Sequence, residues 1–83
     1  MTPDQIRAVL LEEIGNIAPE AELSRLDPNA DIREELDIDS ISFLNLITAL
    51  HNRLGIVVPE GDYPKLAKLA EAISYLSAKI EVS

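Results

Sequence analysis

The apolar periodicity between residues 40 and 54 constrains the fold of this chain more than any other feature. At about 100° per residue, five apolar side chains of this stretch fall on one face of a helix. They are Phe43, Leu46, Ile47, Leu50 and Leu54. Gly55 follows directly, as is common after the last residue of a helix. The pattern therefore predicts an amphipathic helix over 40–54 with a complete core-facing stripe.

A second helix is predicted at the N-terminus, where Thr2 and Pro3 supply a capping hydroxyl and a proline in the first turn. Apolar residues follow at helical spacing: Ile6, Val9, Leu10, Ile14 and Ile17. We expect this helix to end at Gly15 or Asn16, because glycine and asparagine are frequent at helix C-termini.

The last predicted helix begins at about Lys65 or Lys68 and runs to Lys79, and the segment 81–83 is expected to fray. Its buried stripe consists of Leu66, Leu69, Ala70, Ile73, Leu76 and Ile80. Just before this helix, Gly61 and Pro64 leave room only for a short turn or a single turn of helix.

The segment between residues 18 and 39 shows no sustained period, and Pro19 and Pro28 interrupt it. Its apolar residues are spaced so that they can pin a long connection across a bundle. They are Leu23, Leu26, Ile32 and Leu36. A chain of 83 residues has room for one modest core, so we expect a single domain over 1–83. The predicted fold is an all-α bundle of three longer helices plus a short third helix, with a long loop after the first.

Composition excludes several classes of partner. The net charge of −8 is opposite to the basic footprint of nucleic-acid-binding proteins, and it disfavours anionic membrane surfaces. No apolar run approaches the ~20 residues of a membrane span, and the N-terminus lacks the basic and apolar regions of a secretory signal. The chain also contains no cysteine. We therefore expect a cytoplasmic protein with neither a nucleic-acid partner nor a membrane span.

Neither a metal site nor a catalytic acid–base pair is predicted. Residues 27–31 alternate oxygen ligands as a calcium loop does, but Ile32 and Ile38 stand where such a loop requires glycine and a bidentate glutamate. We interpret the carboxylates between Asp31 and Asp39 as a solvated approach to a helix N-terminus, able at most to hold Mg²⁺ brought by a modifying enzyme. The single histidine, His51, is expected to be a surface residue near a helix C-terminus.

The start of the 40–54 helix is the best candidate for a functional site. Ser40 follows Asp39 there, so either residue is a candidate N-cap. The positive end of a helix also suits a phosphate ester. Apolar residues outside the core stripe predict a docking patch on the solvent side of the same helix. They are Ile41 and Leu44, with Asn45 and Thr48 beside them.

The motif Asp39-Ser40-Ile41, the helix behind it and the later segment Ile56-Val57-Val58-Pro59-Glu60 resemble an acyl carrier protein of the phosphopantetheine-binding family. The family motif is usually Asp-Ser-Leu, from which Ile41 is a conservative departure. The resemblance covers about residues 6–76. It implies a small four-helix bundle with a short third helix and a long first loop.

The resemblance also implies a function. Ser40 would carry a 4′-phosphopantetheine arm, transferred from coenzyme A by a phosphopantetheinyl transferase, and the thiol of the arm would hold acyl or aminoacyl groups as thioesters. Asp39 and Ile41 flank this attachment point, and Asp39 would help to position the serine. The residues implied to contact partner enzymes are Ile41, Leu44, Asn45 and Thr48, and those implied to shelter an acyl chain are Leu46 and Leu50. The protein would then be a monomeric carrier, not an enzyme, serving enzymes that load, condense or transfer acyl or aminoacyl groups.

Other interpretations stay open. Ser42 is a rival attachment point, although it lacks the preceding aspartate. An unmodified helical adaptor would bind a partner through Ile41 and Leu44 alone. An autonomous enzyme is disfavoured, because the chain has one histidine, no cysteine and no glycine-rich phosphate loop.

The pathway also stays open between fatty-acid, polyketide and specialised lipid or secondary-metabolite synthesis. The chain has no Asp or Glu between Ser40 and Val58. Carriers of fatty-acid synthesis, by contrast, generally present an acidic second helix to their enzymes. This departure disfavours a general fatty-acid role.

Overall fold

The computed structural model of the chain describes residues 1–82, and side chains up to residue 80. Four α-helices follow one another: α1 (Pro3–Ile17), α2 (Ile32–Glu35), α3 (Ser40–Leu54) and α4 (Leu69–Val82). Two 3-10 segments, Leu23–Arg25 and Glu60–Leu66, lie in the connections. No β-strand is present in residues 1–82, so the predicted all-α bundle is confirmed. The predicted short helix before the last helix is the 3-10 segment Glu60–Leu66, and α2 is an additional short helix within the first connection. The backbone of residues 81 and 82 continues α4, and the end of the segment predicted to fray, Ser83, lies outside the described residues.

Helix α1 begins as predicted but ends later. The Thr2 hydroxyl accepts from the backbone N–H of Gln5 at 3.2 Å, and the Gln5 side chain accepts from the N–H of Thr2 at 2.8 Å, which is a complete capping box. The prediction that the helix ends at Gly15 or Asn16 is wrong. Ala18 continues the helical ladder by donating to the carbonyl of Ile14 at 2.9 Å. Pro19 then cannot donate, so the helix ends at Ile17.

Helix α3 has the predicted bounds. Gly55 adopts a left-handed conformation with φ of 68°, and its N–H donates to the carbonyl of His51 at 2.9 Å. Glycine suits this position because it has no Cβ to oppose a positive φ. Four residues of the predicted stripe are buried and the fifth, Leu54, is partly buried. The buried four are Phe43, Leu46, Ile47 and Leu50.

The core lies where α1, α3 and α4 meet, and α1 packs against both of the other long helices. Its fully buried side chains come from these three helices, from α2 and from the second 3-10 segment. They are Ile6, Leu10, Ile14, Ile32, Leu46, Leu50, Leu66 and Leu76. Burial of each such aliphatic side chain stabilises the fold by about 1.5–3 kcal/mol. The bundle is therefore held by a single apolar interior.

The long connection between α1 and α3 is pinned to the bundle, as its leucine spacing predicts. The N–H of Ile32 donates to the carbonyl of Ala67 at 2.8 Å, and the N–H of Ala70 donates to the carbonyl of Pro28 at 2.9 Å. Ile32 is fully buried, and three leucines pack against the core while partly exposed. These are Leu23, Leu26 and Leu36. The connection is thus ordered by contacts with Ala67, just before α4, and with Ala70 in its first turn.

The approach to α4 is a 3-10 segment of seven residues with Pro64 inside it. The last helix begins at Leu69, slightly later than the predicted start at Lys65 or Lys68. The Tyr75 hydroxyl donates to Asp62 at 2.8 Å and so ties the 3-10 segment to α4. Within the described residues, no helix is both long and apolar enough to cross a membrane.

Candidate functional site

The first turn of α3 is capped by Asp39 rather than by Ser40. Asp39 has an extended backbone (φ −79°, ψ 173°), and its Oδ1 accepts from the N–H of Ser42 at 2.7 Å. This hydrogen bond lowers the pKa of Asp39 below its ordinary value, because it stabilises the ionised carboxylate. Ser40 is the first residue of the helix and is exposed. The capping function that sequence alone leaves between the two residues therefore belongs to Asp39.

The turn before α3 determines where this cap lies. Asp37 has a φ of 52°, in the left-handed region that aspartate tolerates better than most residues. The next residue, Ile38, buries its side chain in the core, and its N–H donates to the carbonyl of Arg33 at 3.0 Å. The reversal at Asp37 and the anchor at Ile38 together place Asp39 at the helix start.

The two serines of the first turn lie on different clefts. Ser40 lines a cleft of about 390 Å³ between α3 and the 3-10 segment that precedes α4. The other residues of this Ser40 cleft are Arg33, Phe43, Leu44, Glu60, Tyr63 and Pro64. Ser42 lines a second cleft, of about 370 Å³, between the end of α1 and the turn before α3.

Arg33 lies in the Ser40 cleft and is held from two sides. Its Nε and Nη2 donate to the two carboxylate oxygens of Asp31 at 3.1 and 2.8 Å. Its guanidinium carbon lies 5.3 Å from the centre of the Phe43 ring, within cation–π range. The hydrogen bond from Arg33 lowers the pKa of Asp31. No other Lys or Arg occurs between residues 26 and 52.

The predicted docking patch is exposed on α3. The exposed fraction is 73% for Ile41 and 47% for Leu44, both high for large aliphatic residues. Asn45 and Thr48 are exposed beside them, and the Thr48 hydroxyl donates to the carbonyl of Leu44 at 3.0 Å. Val57, exposed to 68%, lines a small cleft together with Thr48. The patch is therefore apolar and carries no charged side chain of its own.

Leu46 and Leu50 do not lie in the candidate site. Both are fully buried in the bundle core, and neither lines the Ser40 cleft or the Ser42 cleft. A role of these two residues in sheltering an acyl chain stays a prediction.

His51 is exposed, with its Nδ1 2.6 Å from the carbonyl oxygen of Ile56. Since a carbonyl only accepts, Nδ1 carries the proton in this contact. Among residues 1–82, no group of three or more His, Cys, Asp or Glu side chains is arranged to hold a metal ion.

Three residues of the site do not stand out in the sequence. In the sequence, Arg33 is a single positive charge within an acidic segment. Tyr63 lies between two prolines, where a packing role is the simplest interpretation. The left-handed Asp37 has only a weak signal, because aspartate is common in turns of many kinds. The lone positive charge within the acidic run is the feature that could have drawn attention to Arg33.

Comparison with known proteins identifies the family of the chain. The family model described as "Phosphopantetheine attachment site" matches residues 4–74. The chain is similar to an acyl carrier protein of Nitratidesulfovibrio vulgaris (strain DP4), with 28% identity over 76 residues that cover 92% of this chain and 93% of the relative. It is also similar to the acyl carrier protein of Campylobacter hominis, with 27% identity over 73 residues that cover 88% of this chain and 86% of the relative. Acyl carrier proteins are carriers rather than catalysts, and they hold 4′-phosphopantetheine covalently. The chain therefore belongs to the phosphopantetheine-attachment family, as an acyl carrier protein.

Proposed function

We propose that Ser40 is the residue that bears 4′-phosphopantetheine and that the protein moves acyl or aminoacyl groups between enzymes. The observation that carries this proposal is the exposed position of Ser40 at the start of α3, beside a cleft and outside the cap. A transferase needs access to the hydroxyl, and Ser40 offers it without loss of the helix cap.

Ser42 is the weaker candidate for attachment. It is partly buried, and its N–H is held by the Asp39 carboxylate at 2.7 Å. It lines the other cleft, against the end of α1. A bulky group on Ser42 would press on the cap and on the turn before α3, whereas a group on Ser40 extends into an open cleft.

The residues of the Ser40 cleft fit the cofactor. An arm of this kind consists of a charged phosphodiester followed by a long uncharged part. The cleft offers one cation, Arg33, and apolar surface from Phe43, Leu44 and Tyr63, and it also contains one carboxylate, Glu60. When bound, the arm supplies a thiol able to hold acyl groups as thioesters, which the cysteine-free chain does not provide.

The partners that we propose are a phosphopantetheinyl transferase and enzymes that load, condense or transfer acyl or aminoacyl groups. Ile41, Leu44, Asn45 and Thr48 lie next to Ser40 on the exposed side of α3 and would contact them. The helix carries no carboxylate, so these contacts depend on apolar burial more than on charge. We favour a polyketide or a specialised lipid or secondary-metabolite pathway over general fatty-acid synthesis.

Leu46 and Leu50 would shelter an acyl chain only if the helices move apart. Both side chains are fully buried, so an acyl chain between them has to displace packed atoms. We therefore propose that sheltering, where it occurs, accompanies an expansion of the bundle.

The test is treatment of the purified chain with coenzyme A and a transferase of broad specificity, followed by intact-mass and peptide mass spectrometry. Wild type and Ser42→Ala should gain the mass of one phosphopantetheine, and Ser40→Ala should gain none. Full modification of Ser40→Ala would overturn the assignment. An unmodified chain from its native cell, together with binding that depends only on Ile41 and Leu44, would favour the adaptor instead.

A further inference from the structure

We propose that Arg33 binds the phosphodiester of the arm carried by Ser40 and so positions the arm in the Ser40 cleft. This inference rests on the proposed function and assigns a role to a residue outside the attachment motif. It starts from the shared cleft, since Arg33 and Ser40 line the same cavity of about 390 Å³.

The guanidinium of Arg33 is already ordered. Asp31 accepts from its Nε and Nη2 at 3.1 and 2.8 Å, and the Phe43 ring lies under it at 5.3 Å. A side chain fixed in this way loses little further conformational entropy when it contacts an anion. Asp31 uses two of the five guanidinium N–H groups, so three remain for another acceptor.

Arg33 is also close enough to the attachment point. Phe43 lies three residues after Ser40, so its Cα is about 4.5 Å further along the helix axis and on an adjacent face. The backbone of Arg33 is tied to the turn before Ser40 through the 3.0 Å hydrogen bond from Ile38. The Arg33 side chain is 41% exposed, so an anion can reach it.

The charges around Ser40 favour this contact. The approach to α3 carries Glu34, Glu35, Asp37 and Asp39, all exposed. A phosphodiester on Ser40 adds another negative charge to this group. Among the side chains that the structure describes, Arg33 is the only Lys or Arg that lines the Ser40 cleft, so it is the cationic side chain placed to offset the repulsion there.

The first experiment uses the wild-type chain. The ¹⁵N-labelled protein is loaded by the transferase from coenzyme A, and the arginine Nε–H resonances are compared before and after loading. The Arg33 resonance should move by several times its linewidth. Arg25 is the matched control, because its Nε is also paired with a carboxylate, Glu22, at 3.2 Å, but outside the Ser40 cleft.

The second experiment compares Arg33→Gln with Arg25→Gln. The melting temperature of each is measured before and after loading, so that any effect on the unloaded fold cancels. Loading should lower the melting temperature of Arg33→Gln by about 3 °C more than that of Arg25→Gln, and 1 M salt should abolish the difference. The ³¹P resonance of the arm should shift in Arg33→Gln alone.

The outcomes separate this inference from the proposed function. If the wild-type chain accepts no arm, or accepts it on Ser42, both are overturned. If the arm is on Ser40 and the Arg33 resonance moves no more than that of Arg25, the role of Arg33 is refuted and the carrier function stands. Because the first experiment needs no substitution, poor folding of Arg33→Gln would not obscure the result.

Discussion

The Oδ1 of Asp39 lies 2.7 Å from the backbone nitrogen of Ser42, and this hydrogen bond caps helix α3. It satisfies an N–H group that has no partner within the helix. The cap lies at Asp39, one residue before Ser40, so the proposed attachment residue occupies the first helical position with its hydroxyl outside the cap.

Replacement of Asp39 should separate its capping role from its charge. Asp39→Asn keeps an oxygen for the Ser42 N–H, so its melting temperature should stay near that of the wild type. Asp39→Ala removes the acceptor and should lower the melting temperature by several degrees. Circular dichroism at 222 nm measures both. Equal melting temperatures for the two variants would contradict capping by this side chain.

Asp37 should respond to substitution through its backbone. With φ at 52°, Asp37→Gly should be neutral or slightly stabilising, whereas Asp37→Ala should lose about 1 kcal/mol. Chemical denaturation of the two variants measures the difference. The matched control is Glu35→Ala at a residue with helical backbone, where the free energy of unfolding should change little. A stable Asp37→Ala variant would show that the left-handed turn is not required.

Ser77 is a site where substitution should stabilise the fold. Its Oγ is buried in α4 and has no hydrogen-bond partner. Ser77→Ala removes this unsatisfied group and raises helix propensity, so the free energy of unfolding should rise by about 1 kcal/mol. Ser74→Ala, at an exposed position of the same helix, should show the propensity gain alone. If the two variants gain equally, the buried hydroxyl carries no penalty.

Tyr75 should ionise only in strong alkali. Burial, together with its hydrogen bond to Asp62, raises the pKa of Tyr75 to about 12. Since the pKa is raised in the folded state, the stability linked to it is complete below the unfolded value of 10.0 and is lost as pH rises through about 12.

An absorbance titration at 295 nm of Tyr63→Phe checks this prediction, because Tyr75 is then the only tyrosine of the chain. The same titration of Tyr63→Phe with Asp62→Asn should give a lower pKa. A midpoint near 10 for Tyr75 in the single variant would show that the phenol is neither buried nor held by Asp62.

Much of the fold follows from local rules. The stripe over 40–54 and the glycine after it predict α3 at both ends, and Thr2-Pro3 predicts the start of α1, because caps and glycine act within a few residues. The end of α1 does not follow in this way. Glycine is common at helix ends, but the helix continues through Gly15. A Cβ added at this residue would lie at ordinary contact distance from Leu23.

The residues of the candidate site also differ in how well the sequence predicts them. The exposed patch at Ile41 and Leu44 follows from helical periodicity, whereas the motif 39–41 is identified by its resemblance to the carrier family. Arg33 follows from neither, because its position depends on a salt bridge to Asp31 and on the Phe43 ring, which lies ten residues later in the chain. Neither contact follows the helical spacing by which elements are recognised in a sequence.

The hydrogen bond from Ile32 to Ala67 has a mechanical consequence. A long surface connection is ordinarily mobile, yet here the segment before Ser40, the proposed attachment residue, is hydrogen-bonded to a residue thirty-five positions further along the chain. The position of the proposed attachment residue thus depends on a contact with the C-terminal half of the molecule. Damage to the segment just before α4 would therefore loosen the approach to Ser40, even though Ala67 does not line the Ser40 cleft.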